Sequence, residues 1–103
     1  MTDLISALTA AGQLWAHYAW SKAPAGDYGT WGEEGDNVLR ADNRSAEHAT
    51  RYDLHYYTRD DTGAPKATIE AALDALPCAW TLDYVDFEED SGYIHYEWII
   101  EVL

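Results

Sequence analysis

The C-terminal stretch from Gly92 to Leu103 constrains the fold most, because two kinds of side chain alternate along it. Successive side chains of a strand point to opposite faces of a sheet. The alternation therefore predicts a strand with one buried face and one mostly polar face. The predicted buried positions are Ile94, Tyr96, Trp98, Ile100 and Val102, and the positions between them are His95, Glu97, Ile99 and Glu101.

Patterns elsewhere in the chain predict two helices and several more strands. We expect a helix over Thr2–Ala11 with Thr2 as its N-cap, and a second helix that begins at Pro65 and ends near Leu76. Gly29, Gly32 and Gly35 are predicted to interrupt the strand that begins at Tyr28. The expected strands are Leu14–Trp20, Tyr28–Trp31, His48–Thr58 and Trp80–Phe87, with Val38–Ala41 as a weaker candidate.

This element order predicts a single α+β domain over residues 1–103. The order α-β-β-(β)-β-α-β-β favours an antiparallel or mixed sheet with both helices packed on one face. Residues 21–47 are predicted to form a flexible loop region, since proline, glycine and polar side chains dominate there. In the strand that begins at Trp80, Leu82 and Tyr84 are expected to share the face of Trp80.

The charge balance excludes some classes of partner. Nineteen acidic residues against six basic ones give a formal net charge of −13. Nucleic-acid binding needs a basic surface that displaces counterions from phosphates, and anionic membranes also attract basic segments. We therefore expect no stable binding to nucleic acid or membrane. The charge is typical either of a highly soluble surface or of a protein that meets a basic partner.

Targeting and redox features point to a soluble protein made in the cytoplasm. Cys78 is the only cysteine, so no intrachain disulfide is possible, and we expect a buried, inert thiol. Residues 1–12 lack lysine and arginine, so they do not predict a secretion signal. No apolar run approaches the roughly 20 residues of a membrane span.

The sequence contains no catalytic fingerprint. It has no HExxH motif, phosphate-binding glycine loop or GxSxG elbow. His55 and His95 are candidates for cross-strand neighbours on the polar sheet face, but the histidine spacing does not predict a metal site. The carboxylates near the last turn favour a solvated turn over a calcium site or a hydrolase pair. We predict no catalytic residue, no metal ligand and no cofactor.

Aromatic side chains are more numerous than a core of this size needs. The chain has five tryptophans and eight tyrosines, and these residue types are enriched at protein interfaces. Trp15, Tyr57 and Tyr93 are expected on faces opposite the apolar stripes, and the alternation near the C-terminus leaves open strand addition between subunits. The candidate interface residues are Trp15, Trp31, Tyr57, Tyr93, His95 and Glu97.

Several segments together resemble a known family. The chain is similar to the small tail terminator or tail completion proteins of long-tailed bacteriophages, also described as head–tail joining or minor tail proteins. In that family a Tyr-x-Val-x-Leu-Tyr-Thr strand precedes an Ile/Leu-Glu-x-x-Leu helix. The similar segments are Leu4–Ala11, Tyr28–Trp31, Arg51–Thr58, Ile69–Leu73, Asp83–Asp90 and Tyr96–Trp98. The chain departs from the family in its tryptophan content and at Gly29 and Gly32.

The resemblance implies an α+β fold, ring-forming oligomers that are typically hexamers, and no enzymatic activity. It implies a place in the virion, at the head-proximal end of the tail tube, after assembly in the host cytoplasm. The implied partners are further copies of the chain, the tail tube protein and the head-completion or connector protein. The candidate channel-facing or docking acidic residues are Glu33, Glu34, Asp36, Glu88, Glu89 and Asp90.

Two other functions remain open from the residues alone. The acidic composition is also typical of a binding module or inhibitor that engages a basic protein partner. A small hydrolase is a third interpretation, which rests only on the carboxylates and histidines.

Overall fold

A computed structural model describes residues 1–36 and 50–102. It contains two helices and five strands in these ranges, in an α+β arrangement that confirms the predicted fold class. The candidate strand Val38–Ala41 and the predicted start of the next strand at His48 lie outside the described residues. The elements are α1 (Thr2–Ala10), β1 (Trp15–His17), β2 (Tyr28–Asp36), β3 (Thr50–Thr58), α2 (Ala64–Asp74), β4 (Ala79–Glu88) and β5 (Tyr93–Val102).

The five strands form one mixed sheet in the order β1-β2-β3-β5-β4. β1 pairs with β2 in parallel, and the other neighbouring pairs are antiparallel. β3 and β5 lie at the centre, where Leu54 is opposite Trp98 and His55 is opposite Glu97. β1 and β4 form the two edges of the described sheet.

Both helices pack on one face of this sheet, as predicted. Leu4 and Leu8 of α1 and the apolar stripe of α2 join a cluster with Leu54, Trp98 and Ile100 of the central strands. Trp98 and Ile100 are 0% exposed, so the predicted buried face of the C-terminal strand is confirmed. The Trp98 indole N–H also donates a hydrogen bond to Glu70 Oε2 at 3.0 Å, which satisfies its polar atom.

The helix ends differ slightly from the prediction. α1 takes Met1 as its N-cap, so the assignment of that role to Thr2 is wrong. Gly12, just beyond α1, has a φ of +96°, a left-handed conformation that glycine adopts at little cost. Pro65 lies in the first turn of α2, where its missing N–H has no helical partner to lose, and that helix ends at Asp74.

β1 is shorter than the predicted strand Leu14–Trp20. It ends at His17, and Tyr18 has a φ of +69°. A left-handed conformation in a non-glycine residue ends extended pairing, because the chain turns away from its neighbour. Trp15 packs against the core, whereas Leu14 and Tyr18 are exposed, so the expected placement of Trp15 opposite the apolar stripe is wrong.

β2 continues through its glycines, contrary to the prediction. It runs to Asp36, so part of the predicted loop region 21–47 is a strand, while residues 37–47 lie outside the described ranges. A Cβ atom at Gly29 would lie 2.6 Å from the Trp15 ring, and one at Gly32 would lie 2.5 Å from the Tyr18 ring. These two glycines therefore make room for aromatic rings instead of ending the strand.

β4 contains an irregularity that the sequence does not reveal. The pairing register with β5 shifts between Leu82 and Tyr84. Leu82 is opposite Trp98 on the helix-covered face, whereas Tyr84 is opposite Glu97 on the other face. The prediction that Tyr84 shares a face with Leu82 is therefore wrong, because a β-bulge at Asp83 exchanges the two faces.

No helix in the described part of the chain is long and apolar enough to cross a membrane.

Candidate functional site

The sheet face opposite the helices, which we term the open face, carries most of the polar and aromatic side chains of the central strands. β3 and β5 direct alternate residues to it, because directly opposed residues of an antiparallel pair share a face. Here His55 is opposite Glu97, and Tyr57 is opposite His95. Register therefore brings together side chains that are distant in sequence.

An aromatic row stabilises one end of the open face. The Tyr57 ring is stacked between Tyr28, at a centroid distance of 4.9 Å, and His95, at 4.4 Å. Tyr93 meets the Tyr57 ring edge-on, is only 8% exposed and donates its hydroxyl proton to the Gly26 carbonyl at 2.8 Å. These contacts hold the Tyr57 and His95 rings in place.

Two histidines form a hydrogen-bonded pair beside this row. His55 Nδ1 lies 2.8 Å from His95 Nε2, so the predicted neighbourhood of these two residues is confirmed. His95 Nδ1 is 3.9 Å from a Glu88 carboxylate oxygen. Burial, and next the nearby His55, lower the pKa of His95, while Glu88 and Asp86 oppose that effect. The lowered pKa favours the neutral form of His95, and the 2.8 Å separation allows one N–H to lie between the two rings.

Among the described residues, Asp53 has the most perturbed carboxyl group of the open face. Burial, a side-chain hydrogen bond with Glu34 and the charges of Glu34 and Glu97 together raise its pKa to about 7, while Arg51 opposes the effect. Arg51 Nε is itself 3.1 Å from Glu34 Oε1. Asp53 Oδ1 is shielded from solvent and has no hydrogen-bond partner among the described residues. Such an unsatisfied buried oxygen is costly, so it is unusual in a purely structural role.

Asp53, His55 and Glu97 converge on one point. One potential ligand atom from each lies within 4.8 Å of the other two. His55 Nε2 is 3.6 Å from Glu97 Oε2. Asp53 and His55 also line a small surface cavity of about 130 Å³, to which Thr30 and Gly32 contribute.

Sequence reasoning missed this cluster as a site. It placed His55 and Glu97 on a polar face and included Glu97 among interface candidates, but it assigned no role to Asp53. The alternation of Asp53 and His55 along β3 was visible. The cluster forms because His55 lies directly opposite Glu97, and this pairing depends on the register between β3 and β5.

The six predicted interface residues divide between the two faces. Tyr57, Tyr93, His95 and Glu97 lie together on the open face. Trp15 and Trp31 lie on the covered side and pack against the core. The Trp31 ring is stacked on the His17 ring at a centroid distance of 3.9 Å, at the β1 edge of the sheet.

The predicted acidic residues lie towards opposite ends of the sheet. Glu33 accepts a hydrogen bond from His17 at 2.7 Å, which lowers the pKa of that carboxyl group, and Glu34 pairs with Arg51. Asp36, at the end of β2, is opposite Thr50. The second group surrounds the β4–β5 turn and consists of Glu88, Glu89 and Asp90.

The edge strand β4 carries exposed apolar side chains. Within the described part of the chain, β5 is the only strand that pairs with β4. Val85 is 53% exposed and Phe87 is 58% exposed, although both share the covered face with the core. The helices do not shield this end of β4, so an apolar edge remains open to solvent.

No protein-family model matches this sequence, and no curated protein matches it either.

Proposed function

We propose that this protein is a structural subunit of a phage tail. It forms a ring at the head-proximal end of the tail tube and joins the tail to the head connector, as the tail terminator and tail completion proteins that it resembles do. The observation that carries this proposal is the open apolar edge of β4. The proposed role needs no catalytic group.

An open edge strand is a template for another chain. β4 is 10 residues long, and its outer edge offers unpaired backbone N–H and C=O groups among the described strands. Natural monomers usually protect such edges with short strands, charges or covering elements. The bulge at Asp83 and the exposed Asp86 protect part of this edge, but Val85 and Phe87 present apolar surface beside it. A second copy of the chain satisfies both features at once, through strand addition and burial of the apolar side chains.

The opposite edge of the sheet, formed by β1 and β2, supplies a different surface that β4 of a second copy can contact. β1 pairs with β2 only from Gly29 to Trp31, so in the described structure the part of β2 beyond Trp31 has an open outer edge. Contact between two different edges is heterologous, and repeated heterologous contacts can close into a ring. Pairing of β4 with its own copy would give a two-fold dimer instead.

The charge supports a ring around a DNA channel. Each subunit has a formal net charge of −13, and a ring multiplies that charge. A channel lined by carboxylates repels phosphate, so DNA passes through it without binding to the wall. The acidic groups near Glu33 and Glu88 lie towards opposite ends of the sheet and provide negative charge at both.

The test compares assembly by variants of the β4 edge and of a helix. We expect analytical ultracentrifugation in high salt, and electron microscopy with purified tail tubes, to show rings of one size for the wild type. Phe87→Lys should abolish rings, because it places a charge in the apolar contact. Ala71→Lys is the matched control, since Ala71 is exposed on α2, and it should leave the rings intact.

Three outcomes would contradict the proposal. One is a two-fold dimer in place of a ring, and another is ring formation that Phe87→Lys leaves unchanged. The third is a monomer that does not bind tail tubes and that retains a basic host protein stoichiometrically. That last result would favour an acidic inhibitor.

A further inference from the structure

We propose that Asp53, His55 and Glu97 bind one divalent transition-metal ion, with zinc as the best fit. Their potential ligand atoms lie within 4.8 Å of one another on the open face. Bonds of about 2.0–2.2 Å place the ligand atoms of a tetrahedral zinc site roughly 3.3 Å apart. Small side-chain rotations therefore suffice to close the cluster around an ion. The site does not depend on the proposed ring, because one chain supplies all three ligands.

The backbone holds these three side chains on one face. Asp53 and His55 are alternate residues of β3, so they project in the same direction. Glu97 of β5 is directly opposite His55. Both strands lie in the centre of the sheet, with neighbours on each side. A site on central strands is more rigid than one on loops, which favours defined metal geometry.

The cluster contains a carboxylate oxygen that needs a partner. Asp53 Oδ1 is shielded from solvent and accepts no hydrogen bond from the described residues. Arg51, the nearby cation, is in contact with Glu34 at 3.1 Å. Glu97 adds a further negative group, 3.6 Å from His55 Nε2. A bound cation would satisfy the orphaned oxygen and neutralise the repulsion between the carboxylates.

The second ring nitrogen of His55 is already engaged in the manner of a metal ligand. Nδ1 lies 2.8 Å from His95 Nε2, so a proton on Nδ1 can be donated to His95. That tautomer leaves a lone pair on His55 Nε2, the atom 3.6 Å from Glu97 Oε2. Hydrogen bonds from the non-ligating nitrogen orient metal-bound histidines in the same way. Stacking on Tyr57 fixes His95, and His95 in turn positions His55.

The ligand chemistry selects the class of metal. One imidazole nitrogen with two carboxylates suits zinc and neighbouring transition metals, whereas magnesium and calcium prefer oxygen ligands alone. Asp53 and His55 also line the 130 Å³ cavity beside Thr30 and Gly32. The fourth coordination position can therefore be filled by water from this cavity.

The experiment titrates untagged wild-type protein with Zn²⁺ alone and follows heat and histidine nitrogen chemical shifts. We expect one ion per chain, a dissociation constant on the order of 1 µM or tighter, and a large shift confined to His55 Nε2. His55→Gln and Glu97→Gln should each weaken binding by at least about tenfold. Mg²⁺ should not compete.

A second His–carboxylate pair in the chain provides the matched control. His17 and Glu33 lie 2.7 Å apart, but no third ligand joins them in the clusters of the described residues. His17→Gln should leave zinc affinity unchanged. The proposal fails if His17→Gln weakens binding as much as His55→Gln does, if the His55 nitrogen signals of the wild type do not respond to Zn²⁺, or if Mg²⁺ binds equally well. The wild-type nitrogen signals decide the matter even if a variant fails to fold.

Discussion

The two faces of this sheet are built from the same strands and differ completely in chemistry. On the covered face Leu54 and Trp98 are opposite each other, and both are 0% exposed. One residue further along, His55 and Glu97 are opposite each other on the open face, and both are partly exposed. A shift of one residue separates hydrophobic burial from a cluster of ionisable groups.

The covered face therefore supplies packing, whereas the open face collects ionisable groups. The covered face buries apolar area, which contributes roughly 25 cal/mol per Å² to folding. The open face instead carries unsatisfied and competing charges, which cost stability and are typical of binding sites. Substitutions on the two faces should therefore change the free energy of unfolding by different amounts.

The largest effect is expected at the centre of the covered face. Trp98→Ala removes a fully buried indole and leaves Glu70 without its indole hydrogen bond. We expect a loss of about 3–5 kcal/mol in the free energy of unfolding, measured by urea denaturation with circular dichroism. Ile99→Ala changes the next residue, on the partly exposed open face, and should cost about 1 kcal/mol. Equal losses would mean that the two faces contribute equally to stability.

Two glycines of β2 test the same contrast at smaller scale. Gly29→Ala would drive a Cβ into the Trp15 ring, which is packed against the core, and should cost about 1–3 kcal/mol. Gly32→Ala would meet the Tyr18 ring, which is 61% exposed and can tilt towards solvent at the expense of its stacking on His17. That change should cost less than about 0.5 kcal/mol. Thermal unfolding of the two variants side by side checks the prediction, and a larger loss for Gly32→Ala would refute it.

The predictable parts of this fold are those whose signal is local. The alternation from Ile94 to Val102 indicated both the strand and its buried face, because period-two patterns reflect one-sided burial directly. The role of Gly29 was not predictable, since it depends on a ring that arrives from β1. The bulge at Asp83 was equally hidden, because either face of β4 offered apolar residues to the core.

The candidate site shows the same limit. Sequence reasoning placed His55 and His95 together, since both lay on polar faces of predicted strands. It could not place Glu97 opposite His55, because strand register over a long separation is not encoded in any short motif. It also could not identify Asp53 as a carboxyl group with a raised pKa, since the burial of Asp53 and its proximity to Glu34 arise only in the folded sheet.

The prediction with the clearest sign is the pH dependence of stability in metal-free protein. Burial and the carboxylates of Glu34 and Glu97 raise the pKa of Asp53 from 3.8 to about 7, despite the opposing charge of Arg51. Between those values the unfolded chain is ionised and the folded chain retains its proton. The contribution of Asp53 to the free energy of unfolding is therefore fully present below about pH 4 and is lost as pH rises through 7. Asp53→Asn should remove this decline.

Asp60 provides a control of opposite sign. Hydrogen bonds from Thr62 lower its pKa, so its contribution is present at neutral pH and is lost as pH falls through the lowered pKa. With a chelator present, urea midpoints are measured from pH 3 to pH 8. As pH rises, the stability of Asp53→Asn should increase relative to that of the wild type. The stability of Asp60→Asn should instead decrease relative to that of the wild type over the same range. If Asp53→Asn follows the wild type throughout, Asp53 is ionised without cost in the folded protein, and the contrast between the faces rests on packing alone.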